Sequence, residues 1–563
     1  GVWVETMTCD RFCDDELGCL ACNPNLETTC IDNEVHACGD DGQLGGVIED
    51  CGVNACQDGH CMSPCEAAAA VRSYIGCEYW PVDLDNAVDI LGPPSPTPDS
   101  CATYQNNPQL ISIKTCDDGA SPFYLSTCDW NDTCPAGNTC VQHDVCAFNG
   151  GGAPFAIVAS NPDPTRPVDV TLANAAGFSA TVAVGPGSVA TIVPADLGFP
   201  DQSLDHSGIE TRSYHLTSTL PIIAYQFNPL NNVGVFTNDG SLLIPTSAYD
   251  VDYYAATHHG LARRPLRQDW NGYVTVVADD VAMTTVTITP AADTREGTGV
   301  PPLTAGTPAT FQLAPFQTLT VQSIGTGDLT GTRVQCTPSC GVFAGHEALN
   351  LGTNGSTICC ADHLEDQVFP ASTWGKHYVM VRSAARTTNT WDLIRIVAQK
   401  SGTTIAISPA MSGCAGSLEP GEFCELYTDV DVEIQANHPI LVAHYLTSNG
   451  GLDSDSGDPS LSFGIPVEQY RDDYVLLVPA QYNANFFAIS APAGGTVSLD
   501  GVDVTNQLTS TASGQFRVGR IPVTAGQHRL TCPQTCGVEA QGWSAAVSYL
   551  YAGGLNLDQI VVE

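Results

Sequence analysis

The sequence predicts an all-β protein, with tandem β-sandwich-like units behind a disulfide-rich, loop-dominated N-terminal region. Three observations predict it. From Pro154 onward, short runs rich in Val, Ile, Thr, Tyr and Phe are broken by Gly, Pro, Asn and Asp, the texture of antiparallel strands and turns. The 25 cysteines crowd toward the N-terminal end, where little apolar sequence is present to build a core. A signature also repeats: SLLIPTSAYDVDYY at 241–254, SFGIPVEQYRDDYV at 462–475 and a looser VFPASTWGKHYV at 368–379. Each copy spaces a proline, an aromatic and a tyrosine four residues apart: Pro245, Tyr249 and Tyr253; Pro370, Trp374 and Tyr378; Pro466, Tyr470 and Tyr474. Such spacing marks internal duplication. Its physical reading is a bend set by proline, an aromatic plug, and a tyrosine entering a sheet.

The chain divides as follows. Residues 1–65 form the cysteine-rich N-terminal region, opened by the alternating run GVWVETMT. Cys19-x2-Cys22 reads either as disulfide partners or as half of a zinc site, and no second pair at ribbon spacing supports zinc. Residues 66–147 hold a helix candidate, EAAAAVRS, then the strand-like IGCEYWPVDLDNAV, the breaker GPPSPTPD and a second cysteine-rich insert. Four β units follow at 148–245, 246–350, 351–450 and 451–563. Related apolar runs close them at 220–227, 340–349, 438–446 and 543–551. The second and fourth closures each follow a Cys-x3-Cys, CTPSCGV (Cys336, Cys340) and CPQTCGV (Cys532, Cys536). Both pairs read as local staples, and Cys414 and Cys424 as the staple of a hairpin loop.

Charge narrows the function classes. The chain carries 61 acids and 19 bases, a net charge of −42. That excludes a nucleic-acid footprint and adsorption to anionic lipid. No uninterrupted apolar stretch is long enough for a membrane span. So many cysteines argue for export into an oxidising medium, and their odd number leaves at least one thiol unpaired within the chain. The start lacks a charged and apolar leader, so a mature secreted form is expected.

SYHLTSTLPIIAYQFNPL at 213–230, continuing through NDGSLLIPTSAYDVDYY at 238–254, resembles the N-terminal domain of the mucus IgG Fc-binding proteins. Bacterial secreted or surface proteins of that family often carry a cysteine-rich leader and a segment similar to GCEYWPVDLDNA, here at 76–87. The insert at 91–147 departs from the family's order. The resemblance implies an extracellular β-rich adhesion or matrix module. It supplies no compact immunoglobulin-binding motif to place on these residues.

Candidate chemistry is sparse. The chain has no nucleophile elbow, zinc-protease helix, phosphate loop or dinucleotide fingerprint, so no enzyme is expected. Gly345-His346-Glu347 lacks the second histidine of a zinc motif, and His258-His259 has a poor spacing for sharing a metal. LDSDSGDP at 452–459 offers Asp453, Asp455 and Asp458 around a glycine turn. It reads either as a calcium loop or as a plain polar turn. Calcium is therefore the one cofactor candidate.

Both chain ends are strand-like: Val2, Trp3 and Val4 at one, Ile560, Val561 and Val562 at the other. Each could dock on its own domain or be donated to the sheet edge of a neighbouring copy. Two functions compete. One is a structural, adhesive surface protein that self-assembles into a fibre or array. The other is a monomeric adhesin that binds glycan, mucin-like matrix or another cell through exposed aromatics such as Tyr225, Tyr482 and Trp543.

Overall fold

The computed structural model describes residues 12–14, 18–24, 26–52, 55–57, 59–91, 101–104, 108–117, 134, 137–230, 235–262, 269–279, 283–352, 360–386, 391–448 and 457–560. Two compact units result: residues 1–71 with 219–221, and residues 72–218 with 222–563.

The first unit is small and crosslinked. Strands Thr28–Ile31, Glu34–Cys38 and Leu44–Asp50 form one antiparallel sheet, and Ala55–Gln57 pairs with His60–Met62. Disulfides join Cys22 to Cys38, Cys30 to Cys56 and Cys51 to Cys61. The helix expected at 66–73 runs instead from Pro64 to Val71. Ser63 sets its start by accepting from the Glu66 N–H, while Glu66 accepts from the Ser63 N–H at 2.7 Å. This reciprocal cap, with proline in the first turn, shifts the helix two residues upstream.

The second unit is all-β. Its insert forms a three-stranded sheet, Gln109–Asp117, Thr139–Asn149 and Val88–Ile90, pinned by Cys101–Cys146 and Cys116–Cys134. Beyond it come four sandwiches built on one plan. In three of them a single long strand serves both sheets: Tyr214–Asn228, Arg333–Leu349 and Gly526–Ser544. The first half of Arg333–Leu349 pairs with Thr284–Thr289, and its second half with Gly272–Val277. In the remaining sandwich the strand is cut in two, Val432–Ala436 and Ile440–Leu446. Pro439 lies in that break and cannot donate to a ladder.

Every long strand kinks at the same place. Between Thr217 and Ile222, Gln335 and Cys340, and Thr531 and Cys536, five steps on one strand face two on its neighbour. Each kink contains a proline, Pro221, Pro338 or Pro533, as Pro439 stands in the corresponding break of the divided strand. Disulfides Cys336–Cys340 and Cys532–Cys536 close two of these bulges. Cys414–Cys424 staples the loop between strands of the third sandwich. The run at 543–551, expected as one closing strand, is two: the chain turns at Ala546, where φ is 52°, and starts Val547–Ala552. The counterpart of the other closing strands is the Gly526–Ser544 strand that precedes this turn.

After each long strand comes a short inner strand: Asp239–Leu242, Asp362–Gln367, Ser460–Phe463 and Val547–Ala552. The first packs on the second, the second on the third, the third on the fourth, and the fourth on the first. The sandwiches therefore close around a four-strand axis in which every residue is buried. Chain segments distant in sequence complete the closure. Tyr74 N donates to Leu555 O at 3.3 Å, and Leu557 N donates to Arg72 O at 2.9 Å.

Candidate functional site

The repeated signature builds the corners of this ring. Pro245, Pro370 and Pro466 each start a single 3-10 turn, Thr246–Ala248, Ala371–Thr373 and Val467–Gln469. Tyr249, Trp374 and Tyr470 end these turns as buried plugs. The rings of Tyr249 and Tyr470 lie against Gly341 and Gly537, where an added Cβ would fall 2.7 and 2.4 Å from ring atoms. This is why glycine follows the second cysteine in both Cys-x3-Cys motifs. The tyrosines hold the kinks. Tyr253, Tyr378 and Tyr474 donate to the carbonyls of Cys340, Ile440 and Cys536. Asp250 N and Arg471 N donate back to Tyr253 and Tyr474 at 2.8 and 2.9 Å.

A fourth corner went unread in the sequence. Tyr79 donates to Ile222 O at 2.7 Å and accepts from Gly76 N at 2.8 Å, the same geometry. Its only signal is the Tyr inside GCEYW, because the proline and plug that would precede it are absent. Burial raises all four hydroxyls well above the ordinary tyrosine range, so each stays a donor. Tyr253→Phe is expected to strand the buried Cys340 carbonyl and the half-buried Asp250 N–H and to lower stability by about 1–3 kcal/mol in denaturant unfolding. An unchanged midpoint would show that the hydroxyl contributes nothing.

The axis itself is polar. Inner strands from different sandwiches are stitched by carboxylates and hydroxyls. Asp239 accepts from Ser460 Oγ at 2.7 Å, from the Gly240 N–H at 2.9 Å, and from the Leu461 and Glu365 N–H groups at 3.2 and 3.3 Å. Asp366 accepts from Ser241 Oγ and from the N–H groups of Phe463 and Gln367, each at 2.9 Å. Burial pushes the Asp366 carboxyl up to about 7. Beside the axis, His444 lies 3.0 Å from Asp392 through Nε2 and 3.0 Å from Glu539 through Nδ1. Burial opposes its charge, but the two carboxylates outweigh burial and raise the imidazole to about 10.

Asp458 and Asp362 meet where the third inner strand begins. Both are fully buried and lie within hydrogen-bonding reach of each other. Asn238 N donates to Asp362 Oδ1 at 2.7 Å, and Asp458 N donates to Ser548 Oγ at 2.9 Å. Burial first, and then the neighbouring carboxylate, drives Asp362 well above the usual range. Burial raises Asp458 to about 8.

The other sequence candidates fall elsewhere. Asp453 and Asp455 lie outside the described residues, as do Val2, Trp3, Val4, Val561 and Val562. Ile560 N donates to Ser372 O at 2.8 Å, so Ile560 itself docks on its own chain. Tyr225, Tyr482 and Trp543, expected at the surface by the adhesin reading, are buried because they pack against other aromatics: Tyr225 against Tyr551, Tyr482 against Tyr549 and Trp543 against Phe486 of the neighbouring strand. His346 and Glu347 sit on a strand rather than a helix and serve different partners, His259 O and Asn271.

Asp85, Asp205 and His206, unread in the sequence, bring one ligand atom each within 4.8 Å of one another. His206 Nδ1 lies 2.9 Å from Asp205, and Asp85 accepts from the His206 N–H and from Gln322. Burial works against the imidazolium, yet the acids hold His206 up at about 9, so the cluster already neutralises itself.

A human protein named IgGFc-binding protein is 26% identical over 268 residues, covering 47% of this chain and 4% of the human one. The chain thus matches a small part of that relative's length. A solved structure described as a tetra-tandem repeat in the extending region of a large adhesion protein aligns with 73% of this chain and 97% of its own, at 12% identity. Its TM-score of 0.09 establishes no shared fold. The family described as IgGFc binding protein matches residues 239–542, which begin at the first inner strand and end within the last long strand. That match takes in more than half of the chain and three of its four corners, so the chain belongs to the IgGFc-binding protein family.

Proposed function

We propose that this protein is an extracellular structural and adhesive protein that self-assembles by strand addition. The carrying observation is the edge strand Leu44–Asp50. All seven of its residues are exposed, including Leu44, Val47 and Ile48. Among the described residues it pairs only with Glu34–Cys38. Cys22–Cys38 and Cys51–Cys61 staple its surroundings, so the edge is held extended rather than free to fold away. An apolar, unpaired edge is a template for another chain. A second copy supplies the complement through an alternating run such as Gly1–Thr8, containing Val2, Trp3 and Val4. Disulfide density and membership of the family support the extracellular setting.

Electron microscopy and light scattering of the full chain test this reading. Fibres or arrays are expected, and Val47→Lys with Ile48→Lys should disperse them. Only single particles from the unaltered chain would overturn assembly. Family membership favours the second reading in that event: a monomeric adhesin for glycan, mucin-like matrix or an extracellular protein, immunoglobulin Fc being the first to try given the human relative's name.

A further inference from the structure

The buried acids of the ring axis are not treated alike. Asp239 takes four hydrogen bonds and Asp366 takes three, so their carboxylates are satisfied by protein donors. Asp362 and Asp458 are equally buried, yet no well-formed donor among the described residues satisfies Asp362 Oδ2 or either carboxylate oxygen of Asp458, which have only each other and the Ser548 hydroxyl beside them. The Oδ1 of buried Asn238 likewise has no such donor among the described residues. This Asn238 is the residue whose N–H holds Asp362 Oδ1, and its amide Nδ2 is fixed by Tyr482 Oη at 2.7 Å.

Charge does not resolve the pair either. Buried Arg386 carries one positive charge toward Asp458, but it also faces Asp392, which shares the His444 imidazole with Glu539. Asp239 adds a further negative field at Asp362. Uncompensated buried carboxylates are costly. The backbone is nonetheless shaped to place Asp458 there. Gly457 adopts φ +59, and a side chain at that position would strike Ser548 Oγ at 2.8 Å.

We propose that Asp362, Asp458 and Asn238 bind a hard divalent cation of the calcium class inside the ring. The donor set is all oxygen: two carboxylates and one amide carbonyl, as such ions require. Its members come from three successive sandwiches. Asn238 precedes the first inner strand, Asp362 opens the second, and Asp458 precedes the third. Ser548 of the fourth inner strand holds the Asp458 N–H. The ion therefore ties the whole closure together, and this role is independent of whether copies assemble.

Metal content of the purified full chain, after dialysis in high salt to strip weak surface ions, tests the site. About one calcium per chain is expected. Terbium added during refolding from chelator should give tyrosine-sensitised emission through Tyr482, lost in Asp362→Asn and Asp458→Asn. Chelator during unfolding should lower the melting temperature of the unaltered chain and leave that of the variants unchanged. A metal-free native protein that gains neither emission nor stability from the ions would overturn the proposal and leave the two carboxyls sharing a proton. Equal metal content in Asp362→Asn would overturn it as well, by assigning the ion to the acidic surface. Should both variants fail to fold, metal content and terbium emission of the unaltered chain decide alone.

Discussion

Replacing His444 with alanine is expected to destabilise the folded chain by about 3–5 kcal/mol near neutral pH. The imidazole is buried between Asp392 and Glu539, 3.0 Å from each, and bridges the third sandwich to the fourth. Removing it leaves two buried carboxylates with one positive neighbour, Arg386, at some remove. Asp392 keeps two donors from Ser383, at 2.6 and 2.7 Å, so the greater part of the loss falls on the junction with Glu539. The pH dependence follows from the raised pKa. The unfolded imidazole titrates near 6.5 and the folded one at about 10. The stabilisation is therefore present in full below pH 6.5 and lost as pH rises through 10. Denaturant unfolding of the two proteins across this window checks the prediction. The gap between them should be widest in the acid arm and shrink above pH 10. A pH-independent gap would mean that packing, and not charge, is what His444 supplies. His444→Gln separates these further, since it retains hydrogen bonding without the charge and should recover only part of the loss.

Much of the fold was legible because its corners are local. A proline, a plug and a tyrosine at fixed spacing act within a dozen residues, and the chain writes that constraint three times with little disguise. The Cys-x3-Cys motifs were legible for the same reason, each bridging a single bulge. The fourth corner was hidden because the ring is closed by the two distant ends of the folded unit. Tyr79 has no proline-led turn before it, and residues 553–557 lie in the space beside its segment instead. The axis was invisible for a different reason. Asp239, Asp362, Asp366 and Asp458 are ordinary acids in sequence, and only the meeting of four strands separated by roughly a hundred residues each makes them neighbours. Asp458 was singled out for the glycine turn around it, while its actual companion, Asp362, carries no motif. Tyr225, Tyr482 and Trp543 misled because a buried aromatic and an aromatic on a binding face look the same in one sequence.

Substitution of Arg395 by methionine should cost a further and separate amount, also about 3–5 kcal/mol. Arg395 lies in the strand Asp392–Ala398 of the third sandwich, and its guanidinium reaches into the second. One nitrogen donates to Thr257 O at 2.9 Å, Asp328 Oδ2 at 2.7 Å and Thr330 Oγ1 at 2.9 Å. The others engage Glu425 at 3.0 Å, within its own sandwich. Phe423 and Tyr445 stack over the cation at 4.8 and 5.9 Å, and Tyr445 Oη adds a second donor to Thr257 O at 2.6 Å. Methionine fills much of the volume but supplies no donor and no charge. Asp328 is then left beside the junction with its Thr330 N–H bond and a long one from Thr257 Oγ1 at 3.4 Å. Lysine should rescue only partly, since a single ammonium cannot span Asp328 and Glu425 as the planar fork does. A second readout distinguishes lost charge from lost packing. Buried His258 is kept neutral first by burial and next by the Arg395 charge. Its pKa should therefore rise in Arg395→Met and stay low in Arg395→Lys. If both variants unfold at the midpoint of the unaltered chain, the latch between the second and third sandwiches is carried by their apolar contacts and not by this arginine.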